Sequence, residues 1–366
     1  MFSTVYQDVV NKIEEIDPIK YGRTRNHIDG AVTKLSPYIS RGVISTKMIA
    51  DKILSKGYTF NEIEFFLKEL AWRDYYQQVH IALKDNINAD VRQLQENVTT
   101  YEIPSAIVNA NTSIDAIDQS INELYTTGYM HNHLRLYIAS ICCNIAQCHW
   151  SNPSTWMYYH LLDADWASNT LSWQWVAGSF GSKKYFANQE NINKYCNSSQ
   201  LNTFLDVSCD SFNNIKIPIE LTERFSLNLA SPLPEPTKVC INEALPTYIY
   251  NFYNLDCTWD ADINANRILL LEPSFFTKYP VCKRTIDFVI DLSKNISNLQ
   301  VFVGEFMELF PDGNDQHIIH FKEHPLFGHY KGTEHKRDWM FAEVTGYFPS
   351  FFSYWKACKK LNKISV

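Results

Sequence analysis

The chain has 366 residues, with 33 Lys and Arg against 40 Asp and Glu and a formal net charge of −7. At roughly 150 residues per domain this length predicts two domains. The acidic balance excludes a protein that coats nucleic acid through bulk electrostatics, because phosphate binding depends on Lys and Arg releasing counterions, although a local basic patch is still allowed. Aromatic residues make up 14% of the chain, including 9 Trp, 21 Tyr and 22 Phe. They supply area for a packed interior and leave rings for stacking on planar ligands. Nine cysteines without a C-x-x-C pair, and an N-terminus lacking a basic-then-apolar leader, predict a reducing, cytoplasmic compartment. The longest apolar run, residues 136–146, is shorter than the about 20 residues that a bilayer demands, so no membrane partner is expected.

Taken in order, the first 200 residues read as helical. Val9, Ile13 and Ile16 recur at helical spacing, as do Phe65, Leu67, Leu70 and Tyr75, then Leu134, Ile138, Ile141 and Ile145. Asp29-Gly30 and Gly128 break the pattern. From 197 to 246 Asn/Ser pairs and Pro232, Pro234 and Pro236 predict a connecting segment over the surface. Beyond it, short apolar runs at 267–272, 299–304 and 317–321 enclose a helical pattern at 285–296, the signature of a crossover unit with parallel strands. An aromatic helix at 351–361 closes the chain. The expectation is a mainly α protein, with a helical domain at 1–205, a linker at 206–246 and a small α/β domain at 247–366.

Four clusters carry chemistry. Asp163-Ala164-Asp165-Trp166 with Asn169 and Trp173-Gln174-Trp175 packs carboxylates, an amide and three indoles into thirteen positions. Upstream, Asn132, Arg135 and Leu136 share a helix face, and a partly buried Arg135 needs a carboxylate, for which Asp163 and Asp165 are available. On spacing alone, an ordinary interior ion pair joining two helices explains this equally well. Glu69, Trp72 and Arg73 share a third helix face, where an indole beside a guanidinium can stack on a base and meet phosphate, or can simply be core beneath a solvated face. Tyr21-Gly22-Arg23-Thr24-Arg25 and residues 32–37 offer hydroxyls and backbone N–H groups beside basic side chains, the parts of a phosphate clamp at a helix start. No Gly-x-Gly-x-x-Gly accompanies them.

These clusters, in this order, resemble the FAD-binding helical domain of the cryptochrome/photolyase family over roughly residues 20–190. The resemblance rests on Asp163-x-Asp165 with Asn169 and Trp173-Gln174-Trp175, on residues 127–132 with Arg135, on Leu67-x-Glu69 with Trp72-Arg73, and on Thr33-x-Leu35-Ser36. It implies FAD as cofactor, held by Tyr21, Val32, Thr33, Lys34, Leu35 and Ser36 around its phosphates. Lys34 stands where the family usually has Arg. Glu69, Arg73, Asn132, Arg135, Asp163, Ala164, Asp165 and Asn169 complete the implied cofactor set, with Asn169 facing flavin N5. No metal site is expected, because the cysteines, among them Cys196 and Cys209, do not cluster as an iron–sulfur variant would need.

The resemblance further implies light-driven electron transfer from reduced FAD to cyclobutane pyrimidine dimers in UV-damaged DNA, by a monomer. Glu69, Asn132, Asn169, Trp173 and Trp150 would be catalytic. Trp72, Arg73, Tyr76, Asn132, His133 and Trp175 would contact DNA, His133 standing where Arg is frequent. Trp173 and Trp150 match the first two members of a photoreduction chain; the third position has only Tyr101 nearby, and Trp166 is the other candidate for that end. The alternative is a cryptochrome-like blue-light photoreceptor without repair. Family members place an α/β antenna domain before the FAD domain, whereas here an α/β segment follows it, and whether that segment holds a second antenna chromophore is left open.

Overall fold

A computed structural model describes residues 2–208, 211–212, 216–311 and 318–362. Cys209 and His317 lie outside them. The helices of the first half are α1 (Tyr6–Glu14), α2 (Pro18–Thr24), α3 (Ser36–Ser40), α4 (Thr46–Leu54), α5 (Glu64–Leu83), α6 (Ser105–Val108), α7 (Asp115–Thr127), α8 (Asn132–Ser140), α9 (Ser151–His160), α10 (Trp166–Ala177) and α11 (Gln189–Cys196). Strands β1 (Ile103–Pro104) and β2 (Arg224–Phe225) pair antiparallel. Then come β3 (Thr247–Tyr250), β4 (Asn266–Leu271), α12 (Pro273–Lys278), α13 (Lys283–Ser293), β5 (Leu299–Val303), α14 (Phe306–Leu309), β6 (Ile319–Lys322), β7 (Thr333–His335) and α15 (Phe351–Asn362). Two compact units divide the chain. The first takes Met1–Ile19, Thr33–Lys84 and Ala230–Val366, the second Lys20–Val32 and Asp85–Leu229.

The second unit is built on α7 to α10. Ile117, Ile121, Leu124, Leu134, Ile138, Ile141, Ile145, Trp156, Trp173 and Val176 form its apolar core. The regular spacing from Leu134 to Ile145 reads as one helix, but after Ser140 the backbone widens into a π turn at Ile141–Ile145. Asn144 there donates to the carbonyls of Val176 and Tyr185, at 3.0 and 2.7 Å. Those two bonds tie the turn to α10 and to the strand of chain beyond it. The 206–246 stretch is more than a surface connection, since Phe212 and Leu221 are buried in this core and the stretch supplies β2.

The first unit holds a five-stranded parallel sheet in the order β5-β4-β3-β6-β7. The three apolar runs read from sequence are β4, β5 and β6; β3 and β7 are additional strands. No helix forms between β3 and β4. Instead Arg267 holds that connection, donating to the carbonyls of Trp259, Asp260 and Ile263 and to the Tyr250 hydroxyl. The strand order reverses between β3 and β6, the place where open α/β sheets bind ligands beyond the strand ends. In this chain Arg41 fills it. Its guanidinium lies 3.5 Å from the centroid of Phe252 and 4.8 Å from that of Tyr253. His324 stacks on Tyr253 at 4.2 Å and meets His80 edge-on at 6.0 Å. Gly42 (φ 64°) makes the approach feasible, since a Cβ there would stand 2.7 Å from the Tyr253 carbonyl oxygen.

Helix α5 packs in this unit through Phe66, Leu67, Leu70, Ala71, Asp74 and Tyr75. Phe65, grouped with the inward positions by its spacing, is 62% exposed, and Phe66 takes its place. The stripe at 66, 67, 70, 71, 74 and 75 follows the i, i+3, i+4 rule, and Phe65 falls outside it.

Candidate cofactor site

In the second unit the loop from Thr127 to His131 positions the head of α8. Gly128 ends α7 in the left-handed conformation (φ 73°), and its N–H donates to Leu124 O. Its carbonyl accepts from Leu162 N at 2.8 Å, which brings the chain just before Asp163 to this corner. His131 caps α8, its Nδ1 accepting from His133 N at 3.2 Å. Arg135 then donates through Nε to Met130 O and through Nη1 to Asp163 Oδ2, both at 2.9 Å. The Asp163 side chain is 5% exposed and that of Arg135 20%.

Helix α10 presents the next group. Asp165 is its N-cap, accepting from Ser168 N at 2.8 Å. Asn169 donates through Nδ2 to Ser154 O at 2.9 Å, which fixes the amide and leaves its oxygen free of any partner among the described residues. Trp173 is 2% exposed, and its indole N–H meets no acceptor among the described residues. Ala164 is buried beside these groups in sequence. Gln174, quoted in the motif but given no role, is a brace: it donates to Ile87 O and accepts from Val91 N.

The outer residues of this unit differ in exposure. Asn132 is exposed at the first position of α8 and Trp175 is 38% exposed, tilted against Tyr185 at 5.8 Å. His133 is engaged, its Nδ1 lying 2.9 Å from Asn26 O and its ring stacked on Tyr137 at 5.0 Å. Burial pushes its pKa down, which favours the neutral ring. Trp150 donates to Asp90 at 2.6 Å, His149 lies 5.3 Å from the Trp150 ring, and the exposed Tyr101 stacks on His149 at 4.6 Å. Trp166 is 8% exposed and donates to Asn88 at 2.8 Å. Tyr21 lies half-buried on α2, and Val32 ends the following turn.

The remaining sequence-derived residues belong to the first unit. Thr33, Lys34 and Leu35 lead into Ser36 and α3, with the Thr33 hydroxyl accepting from Leu35 N at 3.4 Å. Lys34 is exposed in a left-handed conformation (φ 53°) and Leu35 is buried. The anticipated helix start is present, but α3 has only five residues. On α5, Arg73 donates to the buried Ser40 hydroxyl at 2.8 Å. Trp72 stacks on Phe351 at 3.9 Å with planes 9° apart and lies 5.3 Å from Tyr76. Glu69 is half-buried on the same helix.

The family model described as the FAD binding domain of DNA photolyase matches residues 66–206. A protein named deoxyribodipyrimidine photo-lyase from Alkalihalophilus pseudofirmus is 32% identical over 154 residues, 40% of this chain and 31% of that one. The protein of the same name from Agrobacterium fabrum is 28% identical over 182 residues, 46% of this chain and 37% of its own length. A cryptochrome DASH from Ostreococcus tauri is 30% identical over 175 residues, 44% and 31%. The chain thus spans about a third of the length of the curated relatives it matches. The residues fit the cofactor that this domain takes: among the described residues an amide oxygen on Asn169 and a buried N–H on Trp173 stand without partners on α10, and a guanidinium anchored by Asp163 stands on α8. Residues 66–206 thus resemble the FAD-binding domain of DNA photolyase, with FAD as the cofactor.

Proposed function

We propose that this protein repairs UV-damaged DNA by light-driven electron transfer to cyclobutane pyrimidine dimers. The observation that carries the reading is the Arg135–Asp163 pair, a fixed and largely desolvated positive group in the segment that matches the FAD-binding family model. Bound FAD supplies light absorption and one-electron chemistry. Arg135, held by Met130 O and Asp163, would favour negative charge on the flavin by direct attraction. Asn169 holds its amide still through Ser154 O, so its oxygen can accept a hydrogen bond at flavin N5 without reorganising. The further residues that this reading assigns to the cofactor are Tyr21, Val32, Ala164 and Asp165 in the second unit, and residues 33–36, Glu69 and Arg73 in the first.

The residues that this reading assigns to the extruded lesion are Glu69, Trp72 and Tyr76 in the first unit, and Asn132 and Trp175 in the second. One face of the Trp72 indole is covered by Phe351, and Tyr76 lies 5.3 Å away. A crosslinked dimer pairs and stacks badly, so extruding it costs less than the few kcal/mol of an intact step. In this reading the helical functional part lies within residues 1–205, divided between both units, and the sheet of 247–366 is a rearranged counterpart of an antenna domain.

The second reading is a blue-light photoreceptor that keeps FAD and performs no repair. His133 favours it, because burial pushes the ring toward its neutral form, which offers no positive charge to a phosphate. Illuminating the reduced protein with oligonucleotides carrying a cyclobutane dimer or a (6-4) lesion, and measuring restored thymine, separates the two. Restoration from the cyclobutane dimer supports repair; restoration from neither lesion, with FAD bound, leaves the photoreceptor.

A further inference from the structure

The parallel pairing of β6 and β7 sets His320 beside Thr333 and Lys322 beside His335. Residues two apart on a strand share a face, so both imidazoles stand on the same side of the sheet edge. His320 Nδ1 lies 2.9 Å from His335 Nε2, with ring centroids 5.1 Å apart and planes at 67°. Among the described residues neither ring makes any other hydrogen bond. Tyr248, the cross-strand neighbour of His320, stacks on it at 4.7 Å, and the edge of Trp259 meets His335 at 5.3 Å. Aromatic walls therefore hold both rings in place.

The surrounding charges suit a cation. Lys322 is neutralised by Asp256 at 2.7 Å, and Arg267 is occupied by the carbonyls of the loop above. Asp260 adds negative charge close to Tyr248 and His320. Burial, and then the neighbouring His335, push His320 below its ordinary pKa, which favours the neutral ring that ligates metals.

We propose that His320 and His335 form a two-histidine site for a borderline divalent transition ion of the Cu2+, Ni2+ or Zn2+ class. Imidazole suits these ions at about 2.0–2.1 Å. For two such bonds at a tetrahedral angle the nitrogens stand roughly 3.3 Å apart, so a small ring rotation turns the present hydrogen bond into a chelate. Both rings enter neutral. The proton now between them moves to a far nitrogen, leaving N–H groups at Nε2 of His320 and Nδ1 of His335, and no electron changes hands. No group of three or more metal-binding side chains occurs among the described residues, so water completes the coordination and the ion exchanges freely. The fifteen-residue separation matches no metal motif, and only strand register brings the rings together.

The test uses the full chain stripped of metal and loaded with one equivalent of Cu2+. Its electron paramagnetic resonance spectrum should show superhyperfine splitting from two imidazole nitrogens, and calorimetry with Zn2+ should show one site. His320→Asn and His335→Asn should each weaken Zn2+ binding about a hundredfold, the loss expected when a chelate becomes a single contact. His329→Ala, at an exposed histidine bonded to Glu272, should bind as the parent does. A parent spectrum without the two-nitrogen pattern overturns the proposal whether or not the variants fold. Unchanged affinity in either folded His→Asn variant overturns it as well.

Discussion

Arg135 and Asp163 are 28 residues apart in sequence and meet at 2.9 Å because the Gly128 carbonyl binds Leu162 N and so joins the entry of α8 to the turn before α10. Removing one partner of a largely buried pair leaves the other charge uncompensated, at a cost of about 3 kcal/mol. Arg135→Gln should therefore lower the thermal midpoint and also lower the flavin bound per chain after reconstitution with FAD. Arg135→Lys keeps the charge but loses the fork that reaches both Met130 O and Asp163, and its flavin content should fall between the two. A variant with an unchanged melt and full flavin uptake would reduce the pair to an incidental contact.

Trp150, His149 and Tyr101 form a run of neighbouring rings from the core to a surface tyrosine that is 58% exposed. Trp166, in contrast, is 8% exposed with its indole N–H bonded to Asn88. If electrons reach bound flavin through Trp173 and Trp150, the outer end is Tyr101. Trp173→Phe and Trp150→Phe should slow photoreduction of oxidised flavin while leaving flavin content intact, and Tyr101→Phe should remove the tyrosyl signal from the spectrum of the illuminated protein. Photoreduction in Tyr101→Phe that matches the parent, with Trp166→Phe slow instead, would reroute the path.

The parts of the fold that sequence reveals are those where local chemistry and tertiary demand agree. The 267–272 run is a strand because all six residues of β4 are buried, and Asp163 is paired as a buried guanidinium requires. Strand β3 is hidden because Thr247-Tyr248-Ile249-Tyr250 is short and lacks alternation, while β7 carries only Thr333, Glu334 and His335. Asp165 is expected from sequence as a flavin contact, and its capping of α10 is seen only once Ser168 N is in place. The filling of the strand-end crevice by Arg41 depends on pairings more than 200 residues apart and leaves no local signal.

Asp74 is buried on α5, where it accepts from the Thr46 hydroxyl and from Met340 N. Burial pushes its pKa up to about 6 in spite of those donors. The unfolded value is about 3.9, so between roughly pH 4 and 6 the folded state binds more protons, and this group's contribution to stability falls as pH rises through that window. Asp74→Asn cannot ionise and keeps an acceptor for Met340 N. Urea midpoints should show the variant gaining on the parent as pH rises from 4 to 7, by on the order of 2–3 kcal/mol. Parallel pH profiles would mean that the carboxyl stays ionised throughout.

Arg41 offers the sharpest test of how the sheet's ligand crevice is closed. It is fully buried, its guanidinium lies over Phe252 and Tyr253, and its carbonyl accepts from Leu255 N at 2.8 Å. Arg41→Ala keeps the backbone bond and removes the filling group, leaving a planar slot between aromatic walls at the β3/β6 reversal. The variant should lose roughly 2–4 kcal/mol, combining lost packing with a desolvated cation–π contact. Low millimolar ethylguanidine should restore part of its melting temperature by occupying the slot, with no such gain in the parent. A variant that melts like the parent would show that the crevice closes without Arg41. A destabilised variant indifferent to ethylguanidine would show that it collapses once the side chain is gone.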